Sequence, residues 1–129
     1  MPDLHSIMYV EDDPDIQVVA RMALEALGGF AVTVCSSGEE ALTAAVAEVP
    51  DLFLLDVMMP GMDGPATLAA LRREPSLADV PVIFITAKVQ TSEVEYYTSL
   101  GAVAVISKPF DPMTLAADVR AIWERRPAR

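Results

Sequence analysis

The sequence predicts a doubly wound α/β domain, with five parallel strands between two layers of helices. Two observations carry that prediction. Short apolar runs alternate with segments of helical period along the whole chain. The runs are apolar almost without interruption, as befits strands covered on both faces and therefore paired in parallel. Right-handed crossovers then put helices on both sides of the sheet. Five such units are too few for an eight-fold barrel. Strand order is not readable from periodicity.

The first strand is Ile7-Met8-Tyr9-Val10. A helix is expected from about Pro14 to Leu27, with Asp13 as its N-cap and Pro14 in its first turn. Ile16, Val19, Ala20, Ala23, Leu24 and Leu27 form its apolar stripe, and Gly28-Gly29 stops it. Ala31 to Cys35 is the second strand. Ser37 caps the next helix and Glu40 completes a capping box. Leu42, Ala45, Val46 and Val49 are its expected buried face, and Pro50 ends it. The third strand ends at Asp56, and the Pro- and Gly-containing stretch from Val57 to Gly64 is a loop. A short helix runs to about Arg73, and the fourth strand ends at Thr86. A weaker helix spans Ser92 to Leu100 and stops at Gly101. After the fifth strand come Lys108-Pro109-Phe110 and a last helix from about Pro112 to Arg125, with Leu115, Val119 and Ile122 facing inward. Trp123 on that helix is expected to pack.

The chain has 129 residues, the size of one domain, with a core over about residues 6–125. Its 53% hydrophobic content excludes global disorder. A formal net charge of -10 argues against direct nucleic-acid binding, which needs a basic stripe. The short basic tail, Arg125 to Arg129, reads as a solvated end and leaves no room for an output domain. The chain is then either a diffusible module or part of a longer one. One cysteine, Cys35, excludes an internal disulfide and reads as a buried structural thiol. No secretory signal and no apolar run of spanning length are visible, so the cytoplasm is the expected location and no membrane is involved.

Reactive side chains cluster at one kind of place. Glu11-Asp12, Asp56, Thr86 and Lys108 each follow an apolar run. Taken singly, such residues are ordinary loop or surface groups. Taken together, they all fall at carboxyl ends of strands, and if those strands are neighbours they converge in one crevice, where open α/β sheets bind ligands. Carboxylates at ~4 Å repel by about 4 kcal/mol per pair at an effective dielectric near 20, so the cluster calls for a cation. An all-oxygen site with few acids suits Mg²⁺, which keeps several waters and is completed by phosphate; Mn²⁺ is an acceptable substitute. Zinc does not fit, since His5 is the only histidine and Cys35 is remote in sequence. With a metal in place, one carboxylate can attack a phosphoryl group.

The segments Tyr9 to Asp15, Leu54 to Gly64, Ile85-Thr86-Ala87 and Lys108-Pro109-Phe110 resemble the receiver domain of two-component response regulators, notably the single-domain chemotaxis type. The resemblance covers about Ile7 to Trp123. It implies a flavodoxin-like fold with strand order 2-1-3-4-5, the order of the chemotaxis members themselves. It implies that Asp56 is the phosphoacceptor. Asp12 would bind Mg²⁺ directly, Glu11 through water, and the main-chain carbonyl of Met58 would be a further ligand. Thr86 and Lys108 would contact the phosphoryl group, and Ala87 would leave it room. The Lys108–Pro109 bond would be cis. Partners would be a sensor histidine kinase or phosphotransfer protein and a downstream protein. The chain would be a signalling phosphoacceptor catalysing only its own phosphorylation and dephosphorylation. It departs from the family at Val105, where many receivers carry a Tyr or Phe that swings inward; Tyr96 and Tyr97 do not occupy that position. Met58 and Lys88 stand where the family tunes phosphoryl lifetime. The rival readings are a constitutive interaction module with a vestigial pocket, an aspartate-nucleophile phosphatase and a flavodoxin-like electron carrier. The phosphatase would want an acid at Met58. The electron carrier would want a hydroxyl-rich loop where Glu11 and Asp12 stand.

Overall fold

A computed structural model describes residues 3–127. The basic tail is therefore seen only in part, and Ala128 and Arg129 lie outside the described residues. Five strands form one parallel sheet: β1 (Ser6–Val10), β2 (Ala31–Cys35), β3 (Leu52–Asp56), β4 (Val82–Thr86) and β5 (Ala104–Ser107). Their order is β2-β1-β3-β4-β5, as the resemblance implied. The helices are α1 (Pro14–Met22), α2 (Gly38–Ala47), α3 (Gly64–Arg73), α4 (Thr91–Ser99) and α5 (Leu115–Arg125).

Strand alternation sorts the apolar residues into two cores. Ile7, Tyr9, Leu52, Leu54, Ile83 and Ile85 pack with Ala20 and Leu24 of the first helical segment and Leu115 and Val119 of α5. Met8, Val10, Phe53, Leu55 and Phe84 pack with Ala41 and Ala45 of α2, Leu68 and Leu71 of α3, and Tyr97 of α4. Each fully buried Leu, Ile or Phe contributes about 1.5–3 kcal/mol. Cys35 is buried, and Trp123 packs in the first core with the Arg126 guanidinium 3.5 Å above its ring.

The helix starts follow local chemistry. Asp13 accepts the Asp15 amide at 2.9 Å, and Ser37 accepts the Glu40 amide at 3.1 Å. The expected capping box is only half formed: the Glu40 carboxylate takes the Ser36 amide, one residue upstream of the expected partner. Asp63 caps α3 through the Ala66 amide at 2.9 Å.

Other expectations are corrected. Regular α-helix ends at Met22, and Ala23–Leu27 continue as a π-helical turn closed by Gly28 and Gly29. Gly29 takes φ of +71°, which a side chain would resist. Val19, Leu27, Val46 and Val49 are exposed rather than buried. The helices sit close to the sheet through small residues, with Ala20 and Ala45 completely covered, and that geometry turns the larger side chains outward. The last helix begins at Leu115, because Asp111 holds residues 112–114 in a turn through the Met113 and Thr114 amides.

Candidate functional site

The register of the sheet brings the candidate residues together. Val10 is level with Leu55 and Asp56 with Ile85, so Glu11 leaves β1 beside the end of β3. Thr86 is level with Ser107, and the Lys108 amide bonds the Thr86 carbonyl at 2.9 Å as the chain leaves β5. The strands all run parallel, but the order of addition reverses at β1, with β2 laid on one side of it and β3 on the other, which makes this the switch point of the sheet.

Glu11, Asp12 and Asp56 each offer a carboxylate oxygen, and these oxygens lie within 4.8 Å of one another. Glu11 and Asp56 are buried and Asp12 is exposed. Lys108 Nζ stands between the two buried acids, 2.9 Å from Glu11 Oε1 and 3.3 Å from Asp56 Oδ1. Glu11 also accepts the Asp13 amide on Oε2 at 3.1 Å and the Tyr9 hydroxyl on Oε1 at 3.4 Å. Asp56 is treated differently. Both of its oxygens are buried and neither accepts a hydrogen bond, the Lys108 contact being an ion pair without hydrogen-bond geometry.

The electrostatics follow from that arrangement. Burial, then the Glu11 charge, push the Asp56 carboxyl up to about 6, against the opposing pull of Lys108. Burial draws the Lys108 ammonium down, but Glu11 and Asp56 more than offset it and leave it above the usual lysine range. Burial and the nearby acids raise the Tyr9 phenol. Burial raises the Cys35 thiol to about 11, so it is protonated and inert at neutral pH.

The remaining candidates surround this centre. Thr86 is buried and its Oγ1 accepts the Lys88 amide at 3.1 Å. Ala87 and Met58 are exposed. Val105 is half-buried, level with Phe84. Phe84 meets the Tyr97 ring edge-on at 5.4 Å between centroids, so an aromatic does enter this region, from α4 instead of β5. The Lys108–Pro109 bond is cis.

Three contributors were not anticipated. Tyr9 lies inside an apolar run, yet it is two residues from Glu11 on an extended strand and so shares its face. Gln17 donates to the Glu11 carbonyl and to Ser36 Oγ, tying the acidic loop to the end of β2. Gly64 lets α3 approach the end of β3: a Cβ there would stand 2.8 Å from the Asp56 carbonyl and 2.8 Å from Val57 Cα. Its place eight residues after Asp56, at the end of the loop, was the available signal.

A parallel doubly wound sheet with an acidic crevice and a lysine at its switch point defines a class: α/β domains that handle small charged ligands at their strand ends. Comparison narrows the class. The chain belongs to the response regulator receiver domain family, whose pattern matches residues 7–120. It is 38% identical over 125 residues to the transcriptional regulatory protein CseB of Streptomyces coelicolor, covering 97% of this chain and 52% of that protein. It is 39% identical over 119 residues to the DNA-binding response regulator MtrA of Mycolicibacterium smegmatis, covering 92% of this chain and 50% of that protein. The chain thus spans about half the length of these curated relatives. Its fold matches that of chemotaxis protein CheY4 of Vibrio cholerae with a TM-score of 0.85 at 25% identity, over 92% of this chain and 98% of that one. A response regulator of Chloroflexus aurantiacus matches with a TM-score of 0.84 at 30% identity, over 95% of this chain and all of that one. The domain is a receiver of the two-component signalling type.

Proposed function

We propose that Asp56 accepts a phosphoryl group from a phosphohistidine on a sensor kinase or phosphotransfer protein, in a Mg²⁺-dependent reaction that switches partner binding. The carrying observation is Asp56 itself: a buried carboxylate, beside two other acids and a lysine, whose oxygens accept no hydrogen bond. Such a group is costly unless it serves a ligand. The donor set is all oxygen and fits Mg²⁺ or Mn²⁺. Asp12 and Asp56 would hold the ion, with Glu11 through water and the Met58 carbonyl completing the set. The ion would neutralise charge on the transferring phosphoryl group.

The residues of the chain do the rest. An Asp56 oxygen attacks phosphorus, the P–N bond to the donor imidazole breaks, and the imidazole keeps the electron pair. Lys108, already 3.3 Å from Asp56, balances the added charge. Thr86 offers its hydroxyl to a phosphoryl oxygen, and exposed Ala87 leaves space beside it. Thr86 and Lys108 then move and alter the surface of α4, β5 and α5; Val105 has no ring to swing, so that surface responds without one. The whole chain acts as one receiver unit that catalyses only its own phosphorylation and dephosphorylation. Its net charge of -10 supports a protein partner over nucleic acid. A cytoplasmic location goes with this reading; among the described residues no helix is long and apolar enough to cross a membrane.

The test is intact-mass analysis after incubation with acetyl phosphate, with and without Mg²⁺. The expected result is a Mg²⁺-dependent phosphoryl adduct on the wild type and none on Asp56→Asn. Absence of both the adduct and Mg²⁺ binding would favour the vestigial interaction module instead.

A further inference from the structure

Tyr9 is fully buried in the core that β1 shares with α1 and α5, where a phenylalanine would fill the same space. A hydroxyl there is unfavourable without a partner. Its partner is Glu11 Oε1, at 3.4 Å. That distance is long for a hydroxyl donor. The same oxygen holds Lys108 Nζ at 2.9 Å, the length of a charge-assisted bond. One oxygen therefore has a near donor and a far donor. Lys108 is shared in turn, since Asp56 Oδ1 lies 3.3 Å from the same Nζ. A shift of Nζ off Glu11 toward a group on Asp56 leaves Oε1 without its near donor. Glu11 is 1% exposed, so bulk water does not replace that bond.

We propose that Tyr9 is a positioning residue: its hydroxyl takes over Glu11 Oε1 as Lys108 is drawn toward a phosphoryl group on Asp56. Tyr9 never touches the phosphoryl group. It lowers the cost of the rearrangement by keeping a buried carboxylate satisfied at each stage. The inference rests on the reading of Asp56 as acceptor.

The test uses beryllofluoride with Mg²⁺ as the phosphoryl mimic, titrated calorimetrically into wild type and Tyr9→Phe. Tyr9→Phe is expected to weaken beryllofluoride binding by roughly tenfold, the value of one hydrogen bond to a charged group. Binding of Mg²⁺ alone, with Lys108 still on Glu11, is expected to stay within about twofold. In a Glu11→Gln background, Tyr9→Phe is expected to add no further loss. Equal beryllofluoride binding by the two proteins, or an equal loss in Mg²⁺ binding alone, would overturn the proposal. A second measurement does not depend on the folding of a variant. In wild type labelled at tyrosine Cζ, the Tyr9 resonance is expected to shift with beryllofluoride but not with Mg²⁺ alone; a resonance that stays put overturns the proposal equally. Wild type that binds Mg²⁺ but no beryllofluoride would instead sink the phosphoacceptor reading, and this inference with it.

Discussion

A buried carboxylate that accepts no hydrogen bond destabilises the fold that holds it, and the sign of its pKa shift says when. The Asp56 carboxyl is held up to about 6 in the folded chain, against roughly 3.9 when unfolded. Below about pH 4 both states are protonated and the penalty is absent. It grows as pH rises between those two values and is complete above the folded one. Asp56→Asn removes the charge while keeping the shape. In chelator-containing buffer at pH 7.5 it is therefore expected to stabilise the protein, by up to roughly 3 kcal/mol. Thermal melts at pH 7.5 and pH 4 check this: Asn should melt several degrees higher at the first and level with wild type at the second. A lower Asn midpoint at pH 7.5 would mean that Lys108 already compensates Asp56 in full. The same residue was legible in the sequence by position alone, at the end of an apolar run. Its lack of hydrogen bonds was not, because that depends on Lys108 and Glu11 meeting 97 residues apart.

Helices and strands hold the site through close approaches that leave little slack. Gly64 opens α3 where the chain doubles back over Asp56, and the nearest atoms a side chain would meet there are backbone, the Asp56 carbonyl and Val57 Cα, both at 2.8 Å, with the Phe84 ring next at 3.2 Å. Backbone yields less readily than a side-chain tip. Gly64→Ala is expected to destabilise by about 1–3 kcal/mol, as overpacking does. Because the strain falls on Asp56 and Val57, Mg²⁺ affinity should weaken as well. Urea denaturation and Mg²⁺ titration together check this; a destabilised variant with unchanged Mg²⁺ affinity would show that the strain relaxes through α3 alone. At this scale the sequence was a good guide to which segments form strands and a poorer guide to which helix faces are buried. Val46 and Val49 fit a helical stripe on hydropathy, yet Ala41 and Ala45 lie against the sheet. Periodicity reports an apolar arc of a helix, while the packing distance selects the part of that arc small enough to touch. The turn at residues 112–114 was hidden for a related reason: Pro112 suits a helix start, but the Asp111 carboxylate captures the Met113 amide first.

For the molecule as a whole, parallel pairing and burial on both sides follow from the apolar runs, but the order of the strands does not. It was legible only through resemblance: Ala31 and Thr33 of β2 are exposed, as an edge strand allows, but nothing in the runs names the neighbours of each strand. Once the order is given, the site follows, because it sets Glu11, Asp56, Thr86 and Lys108 along one edge of the sheet. That edge concentrates negative charge in a chain whose net charge is already -10. Any salt relieves such self-repulsion by screening, so a rise in melting temperature with MgCl₂ alone says little. The site-specific part is isolated at matched ionic strength, with NaCl in place of MgCl₂. A ligand that binds only the folded state stabilises it by RT ln(1 + [L]/Kd), about 2.7 kcal/mol at a hundred times Kd. Protons compete for Asp56, whose carboxyl is held up to about 6, so the Mg²⁺ advantage should be full at pH 7.5 and largely lost at pH 4.5. In Asp56→Asn it should be small at both. Equal melting in MgCl₂ and matched NaCl at pH 7.5 would mean that the acids act only as diffuse charge, and that no cation is bound at the site.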